Sequence, residues 1–182
     1  MEKLEIQTER LRIRHLVLDD LNDFHVYRSN PEITLYQGFD VMSIEKAGEF
    51  IISQQGKLFG KPGQWVQYAI ESKYHGTLIG DCAIKLNEND SRIAEIGITI
   101  SHLHQKNGFA KETMLGIMDF LFAIKEIHRI VETVDVENIA SIKLMESIGF
   151  RKEAHFIENI FFNGKWGSEF QYAMLKSEWR NR

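Results

Sequence analysis

Apolar and polar residues alternate near the start of the chain in a pattern that predicts one strand followed by a short helix. In "LRIRHL", which begins at Leu11, apolar residues alternate with basic ones, as in a half-exposed strand. Asp19 or Asp20 is placed to cap a helix that runs through Tyr27. The pair Asn30–Pro31 then ends or interrupts this helix, because proline disfavours helical backbone in the residue before it.

A longer helix and three strands follow. The segment "SIEKAGEFIISQQGKLF" predicts a helix with Ser43 as N-cap and Glu45 in the first turn, where a negative charge suits the helix dipole. Its apolar face would contain Ile44, Ala47, Phe50 and Ile51. Three extended segments with short, turn-rich connections predict an antiparallel meander at residues 64–71, 77–86 and 92–100.

The second half of the chain predicts two more helices, a strand and a hairpin. An amphipathic helix is indicated by apolar residues at three- and four-residue spacing: Met114, Ile117, Met118, Leu121 and Phe122. "RIVETVDV" predicts a strand, and "NIASIKLMESIG" predicts a helix with Asn138 as N-cap and Gly149 just past its end. Asn163–Gly164 is a preferred type I′ turn pair and predicts a final hairpin.

This order of elements indicates a mixed α/β fold in one domain, covering residues 1–182. The helices around residues 111–125 and 139–147 each connect strands, so part of the sheet should be parallel.

Composition and charge exclude several classes of protein. The chain has 22 Lys and Arg and 26 Asp and Glu. Its net charge of −4 does not predict general electrostatic attraction to nucleic acid or to an anionic membrane. No window reaches about 18 uninterrupted apolar residues, and the N-terminus lacks an apolar signal-peptide core. The single cysteine, Cys82, lies in an apolar run and is expected to be a buried thiol. We therefore expect a cytoplasmic protein with no membrane and no nucleic-acid partner.

The polar turn "SHLHQKNGFAKETM" separates a buried strand from the amphipathic helix. A helix N-terminus exposes unpaired N–H groups at the positive end of its dipole, which is a site for anions. Gly108 and Ala110 keep this turn open, and Lys106 and Lys111 add positive charge, so a diphosphate would fit. The chain has neither G-x-x-x-x-G-K-[ST] nor a G-x-G-x-x-G after a strand, which disfavours nucleoside triphosphates and nicotinamide dinucleotides.

Two motifs together resemble the signature of the GNAT acyltransferase superfamily. Q-x-x-G-x-A spans Gln105 to Ala110, and N-x-x-S spans Asn138 to Ser141, ahead of "ESIGF". The opening "TERLRIRHLVLDDLNDF" and the closing "IENIFFNGKWGSEFQYAMLKSEW" resemble the branch that includes acetyltransferases of ribosomal-protein N-termini. The resemblance covers residues 8–179 and implies a GNAT-like, mostly antiparallel central sheet with helices on both faces and a splayed parallel strand pair.

The resemblance also implies acetyl-CoA as cosubstrate, with no metal. The pantetheine arm would take backbone groups from Ile98, Thr99 and Ile100. The pyrophosphate would take backbone amides from Gln105, Lys106, Asn107, Gly108, Phe109, Ala110 and Lys111. Asn138 would bond the pantetheine or act as a plain N-cap, or do both with different atoms, and Ser141 would face the sulfur or lie on the helix surface.

The implied reaction is direct attack of a neutral amine on the thioester, which requires no nucleophilic residue of the enzyme. Glu95 is the candidate general base or water-positioning group, although a solvated strand carboxylate is an equal alternative. An amide near Ile98 would stabilise the oxyanion. Many members have a tyrosine general acid four residues after the serine, but this chain has Met145 there, so Ser141 is the remaining candidate for bonding the thiolate.

The acceptor would be a primary amine, either a protein N-terminus or a small molecule, and the enzyme a monomer or homodimer. Residues 25–40 and the final hairpin are expected to set acceptor specificity, with the hairpin aromatics mostly in the sheet core. His102 and His104 are expected to be solvated or to pack, because no third metal ligand is signalled. Two alternatives to an enzyme stay open: a CoA-binding sensor without catalysis, supported by Met145, and an interaction domain without a cofactor.

Overall fold

The computed structural model describes residues 4–37, 40–162 and 164–180. Within these ranges, all strands join one eight-stranded sheet with the order β1-β2-β3-β4-β5-β6-β8-β7. The strands are Ile6–Gln7 (β1), Leu11–His15 (β2), Val66–Ser72 (β3), Leu78–Leu86 (β4), Ile93–Ile100 (β5), Arg129–Asp135 (β6), Arg151–Phe162 (β7) and Lys165–Leu175 (β8).

The helices are Leu21–Arg28 (α1), Pro31–Thr34 (α2), Ile44–Gln54 (α3), Phe109–Asp119 (α4), Ile139–Ile148 (α5) and Lys176–Arg180 (α6). A 3₁₀ turn, Leu18–Asp20, precedes α1, and a π-helical segment, Phe120–Ile124, continues α4. None of the helices in the described ranges combines the length and the apolar character needed to cross a bilayer.

The sheet confirms the predicted meander and the predicted parallel pairing. β3, β4 and β5 pair antiparallel in sequence, and β5 pairs with β6 in parallel. The second helical connection also brings β7 into the direction of β6, but β8 lies between them and pairs antiparallel with both. Only one parallel contact therefore forms among the described strands.

Two apolar clusters cover opposite faces of the sheet. Tyr68 and Ile70 of β3 belong to the larger cluster, with α4 and α5, whereas Ala69 between them belongs to the smaller cluster, with α1 and α3. Side chains alternate between the faces of a strand, so helices lie on both faces. The predicted apolar face of α4 and its continuation is fully buried: Met114, Ile117, Met118, Leu121 and Phe122. Cys82 is buried in β4.

Helix capping agrees with the prediction at two of three positions. Ser43 accepts a hydrogen bond from Lys46 N, and Asn138 accepts one from Ser141 N, so both cap as predicted. At the third position, Asp20 is the N-cap residue of α1, but its side chain makes no bond to that helix and instead accepts from Val17 N and pairs with Arg14.

Two predictions about apolar burial were also wrong. Ile44 of α3 is exposed, because it lies in the first turn, beyond the part of the helix that contacts α1. Of the aromatics of the predicted hairpin, Phe170 packs against the larger core cluster, but Phe161 is 60% exposed, Trp166 is 59% exposed and Phe156 is also exposed. Strand β7 is the edge strand of the sheet, pairs only with β8 among the described strands, and is exposed along almost its whole length. Gly164 has φ of +77°, as a tight turn requires, and Asn163 lies outside the described residues.

Candidate active site

The candidate site is the gap that opens where β5 and β6 separate. Their parallel pairing joins residues 93–95 with residues 129–131 and stops at Glu95. From Ile96 onward, β5 has β4 on one side and no paired strand on the other within the described ranges. Unpaired strand backbone at an open edge offers donors and acceptors to an extended ligand. Two cavities meet in this gap.

The larger cavity, of about 530 Å³, is called the loop cavity here. It extends from the end of β5 along the turn before α4 to the first two turns of α5. All the residues predicted to bind the cofactor line it, except Asn107, whose side chain donates to His104 O and Gln105 O within the turn.

The turn before α4 presents a row of backbone N–H groups. Lys106 and Gly108 have φ of +64° and +78°, and Gly108 is the N-cap residue without a side-chain bond to the helix. Among the described residues, no acceptor bonds the N–H groups of residues 105–111. Gln105 donates to Ile100 O at 3.1 Å and so ties the turn to the end of β5. This geometry suits a diphosphate.

On the far wall of the loop cavity, α5 supplies polar groups at its N-terminus. The Oδ1 atom of Asn138 is used for capping, which leaves its side-chain NH₂ to donate to a ligand. Ser141, one turn into the helix, is half-buried and lines both cavities. Lys111 donates to Ser147 O at 3.0 Å, so its ammonium links α4 to α5 rather than standing free.

The smaller cavity, of about 310 Å³, is called the carboxylate cavity here. Glu95, Glu132 and Asp135 line it, and no lysine or arginine of the described chain does. Tyr36 and Trp65 add aromatic surface, and the buried Met145 lies in the wall. A cavity of this composition favours a cation.

Glu95 and Glu132 differ in their neighbours. Glu95 forms an ion pair with Lys85 at 2.8 Å, and the Lys85 ammonium lies 4.8 Å from the centre of the Trp65 ring. Glu132 forms no ion pair with a basic side chain in the described structure. Burial, and then the neighbouring charge of Glu95, raise the pKa of Glu132 well above its ordinary value. A carboxyl with a raised pKa is a stronger base near neutral pH.

Sequence reasoning nominated Glu95 and missed Glu132. Glu132 looks in the sequence like an ordinary surface residue of a strand, and the parallel register of β6 against β5 brings it to the gap. The element "RIVETVDV" was predicted correctly, but a register cannot be read from one strand.

The segments expected to set acceptor specificity contribute unequally. Tyr36 and Gln37 line both cavities, whereas residues 38–39 of the predicted segment 25–40 lie outside the described residues. No described residue of the final hairpin lines either cavity, although a Cβ at Gly167 would be 3.8 Å from Asp135 Oδ2. His102 is exposed and His104 lines the loop cavity, and the described residues contain no cluster of three or more metal-ligating side chains.

Comparison with known proteins assigns the family. Residues 10–151 match the model of the acetyltransferase (GNAT) domain, and the chain belongs to this family. It is 29% identical to an uncharacterised N-acetyltransferase, p20, of Bacillus licheniformis, over 96% of this chain and 97% of the relative. The crystal structure of a GNAT-family acetyltransferase from Bacillus anthracis superimposes with a TM-score of 0.86 at 26% identity, covering 96% of this chain and all of the other.

Two further similarities bear on the branch of the family. A spermidine N-acetyltransferase from Vibrio cholerae, crystallised with CoA and spermine, has a TM-score of 0.79 and 28% identity over 94% of this chain and 99% of that one. A putative ribosomal N-acetyltransferase of Bacillus subtilis, YdaF, is 27% identical over 58% of each chain. The similarity to YdaF is consistent with the resemblance to the ribosomal-protein branch, and this chain is an acyltransferase of the GNAT type.

Proposed function

We propose that this chain transfers an acetyl group directly from acetyl-CoA to a primary amine on a cationic acceptor, through a ternary complex. The observation that carries this proposal is the meeting of two unlike cavities at one gap in the sheet. The loop cavity offers free N–H groups for a diphosphate, and the carboxylate cavity offers negative charge for an ammonium group. Ser141 lines both, so the thioester and the amine would meet beside it.

The residues of the loop cavity fit acetyl-CoA by chemistry. The unpaired backbone of Ile98, Thr99 and Ile100 would hold the amides of the pantetheine arm, and the side-chain NH₂ of Asn138 would donate to the same arm from the opposite wall. The N–H groups from Gln105 to Lys111 would hold the pyrophosphate. An amide near Ile98 would stabilise the oxyanion.

We assign proton acceptance to the pair of glutamates in the carboxylate cavity, with Glu132 as the base. Its raised pKa makes it a better base than an ordinary carboxylate, and no basic side chain neutralises it. Glu95, held by Lys85, would contribute charge and orient water or the acceptor. Ser141 would donate a hydrogen bond to the leaving thiolate, because Met145 has no proton to give.

The acceptor is proposed to be cationic. Three carboxylates and two aromatic rings in the carboxylate cavity suit an alkylammonium ion. Small polyamines fit this chemistry, and a spermidine acetyltransferase is among the similar structures. A protein N-terminus is the second candidate acceptor, favoured by similarity to a putative ribosomal N-acetyltransferase. We propose the cytoplasm as location because Cys82 is a free thiol.

A panel of amines tests the proposal. Spermidine, putrescine, a peptide with a free N-terminus and a neutral aromatic amine would be assayed for acceptor-dependent CoA release. We expect turnover with the cationic amines and none above hydrolysis with the neutral one. Acetyl-CoA binding without turnover on any acceptor would favour the CoA-binding sensor. No binding at all would indicate that the turn before α4 has only a structural role.

A further inference from the structure

Arg10, in the turn between β1 and β2, contacts the turn before α4 from outside the loop cavity. Its Nη1 atom donates to Asn107 O at 3.1 Å. Its guanidinium carbon lies 4.6 Å from the centre of the Phe109 ring, and its Nη2 atom is 3.5 Å from the position a Cβ would take at Gly108. One side chain therefore touches three consecutive residues of the turn.

The same arginine is fixed by Glu112, in the first turn of α4. Arg10 donates to Glu112 from Nε at 2.6 Å and from its backbone N at 2.7 Å, and Thr8 Oγ1 donates at 2.5 Å. Burial opposes ionisation of Glu112, but these hydrogen bonds outweigh it and lower its pKa. Glu112 is thus a charged anchor that ties α4 to the turn between β1 and β2.

Neither Arg10 nor Glu112 lines the loop cavity. Their contacts act on the turn whose residues line the cavity, because Asn107 O and the ring of Phe109 belong to that turn. Lys106 and Gly108 have left-handed backbone conformations, and the former is costly for a residue with a side chain. A turn of this kind needs outside contacts to hold its shape.

We propose that Arg10 is a positioning residue for the cofactor, which with Glu112 holds the turn of residues 105–111 in the shape that binds a diphosphate. This inference rests on the proposed function. Loss of Arg10 has two consequences: the turn loses its contacts from behind, and the Glu112 carboxylate is left without its partner near a site for anions. Both weaken binding of acetyl-CoA, and neither changes the groups that touch the reacting atoms.

Calorimetric titration with acetyl-CoA tests the inference on the parent and on Arg10→Ala. We expect the dissociation constant to rise roughly tenfold or more in the variant, as for coupled neighbouring groups. The KM for acetyl-CoA should rise in parallel, while kcat and the KM for the amine stay nearly constant. Arg12→Ala is the matched control, because Arg12 lies on the neighbouring strand with a similar exposed ion pair to Glu5 at 3.1 Å.

Two more variants separate geometry from charge. Arg10→Lys keeps the charge beside Glu112 but lacks the planar guanidinium that bonds Glu112 and Asn107 O together, so it should recover only part of the affinity lost in Arg10→Ala. Arg10→Ala/Glu112→Gln removes the unpaired carboxylate and should recover part of the affinity. Hydrogen exchange of the Glu112 amide, which donates to Gly108 O at 3.0 Å, should be faster in Arg10→Ala without any cofactor present.

The outcomes are distinguishable from failure of the proposed function. A parent that does not bind acetyl-CoA overturns the proposed function and this inference together. A parent that binds, with Arg10→Ala binding equally well or Arg10→Lys fully restoring affinity, overturns the inference alone. Equal loss in Arg12→Ala would also overturn it, since the effect would then be one of general surface charge.

Discussion

At the scale of single residues, the roles that we propose for Glu95 and Glu132 follow from their different neighbours. Both carboxylates line the carboxylate cavity, yet Lys85 pairs with Glu95, whereas burial and the charge of Glu95 raise the pKa of Glu132 against a smaller opposing effect of the Thr133 backbone. Glu95 could be nominated from the sequence because it lies on the predicted strand that precedes the turn. Glu132 could not, because its place depends on the register between two strands distant in the chain.

We predict that the pH dependence of kcat/KM reports Glu132. Since its pKa is raised, activity should fall as the pH drops through a value well above the ordinary 4.3 or so of a glutamate. Glu132→Gln should lower kcat/KM by about 10²-fold and abolish the acidic limb of the pH profile, which is the fall in activity at low pH. Glu95→Gln should keep the limb but move it to lower pH, because a like charge is removed. An unchanged limb in Glu132→Gln would exclude Glu132 as the base.

The same carboxyl should make stability depend on pH. A raised folded-state pKa means that the folded protein holds this proton more tightly than the unfolded chain does, so its contribution is complete below the unfolded value and is lost as pH rises through the folded value. The Tm of Glu132→Gln minus the Tm of the parent should therefore increase as the pH is raised from 5 to 8. Thermal unfolding at both pH values measures this, and a constant difference in Tm would contradict it.

At the scale of elements, the ends of helices can be predicted from the sequence more reliably than the burial of strand residues. Ser43, Asn138 and Gly149 mark helix boundaries through local bonds that a short segment contains in full. Most of the hairpin aromatics were wrongly predicted as core because burial depends on what packs on a strand, and β7 is an exposed edge strand. The turn before α4 could be predicted in part. The need for Gly108 is evident from the sequence, but the contacts of Arg10 with this turn are not.

We predict that Gly108→Ala separates stability from cofactor binding. A residue with a Cβ at φ of +78° costs about 1–2 kcal/mol, and relief of that strain would move the N–H groups of the turn. Gly76→Ala is the matched control, because Gly76 has φ of +67° in an exposed turn with no atom near its Cβ position. The Tm should fall by a similar amount in both variants, and only Gly108→Ala should bind acetyl-CoA more weakly than the parent. Equal affinity of the two variants would argue against the turn as the pyrophosphate site.

At the scale of the whole molecule, a buried ion pair joins the layer of α1 and α3 to the sheet. Arg28 of α1 donates to Asp81 of β4, and both side chains are almost completely buried. The order of the longer elements was predictable from periodicity, whereas the short β1, α2 and α6 were missed. This ion pair and the insertion of β8 between β6 and β7 were not predictable, because both depend on contacts between distant segments.

We predict that Asp81→Asn destabilises the protein by about 3–5 kcal/mol, because it leaves a buried arginine without its counter-charge. For a chain of this size, that loss lowers Tm by about 10 °C. Glu5→Gln, which breaks an exposed pair with Arg12, should change stability by no more than about 1 kcal/mol. Differential scanning calorimetry measures both, and similar losses would show that burial does not decide the effect.

The central claim, that the gap between β5 and β6 binds acetyl-CoA, is tested most directly by a calorimetric titration of the parent and of Gly108→Asp, which introduces a carboxylate into the turn before α4. The account predicts saturable binding to the parent and loss of binding in a folded variant. Absence of binding to the folded parent, or equal binding to both proteins, would contradict it.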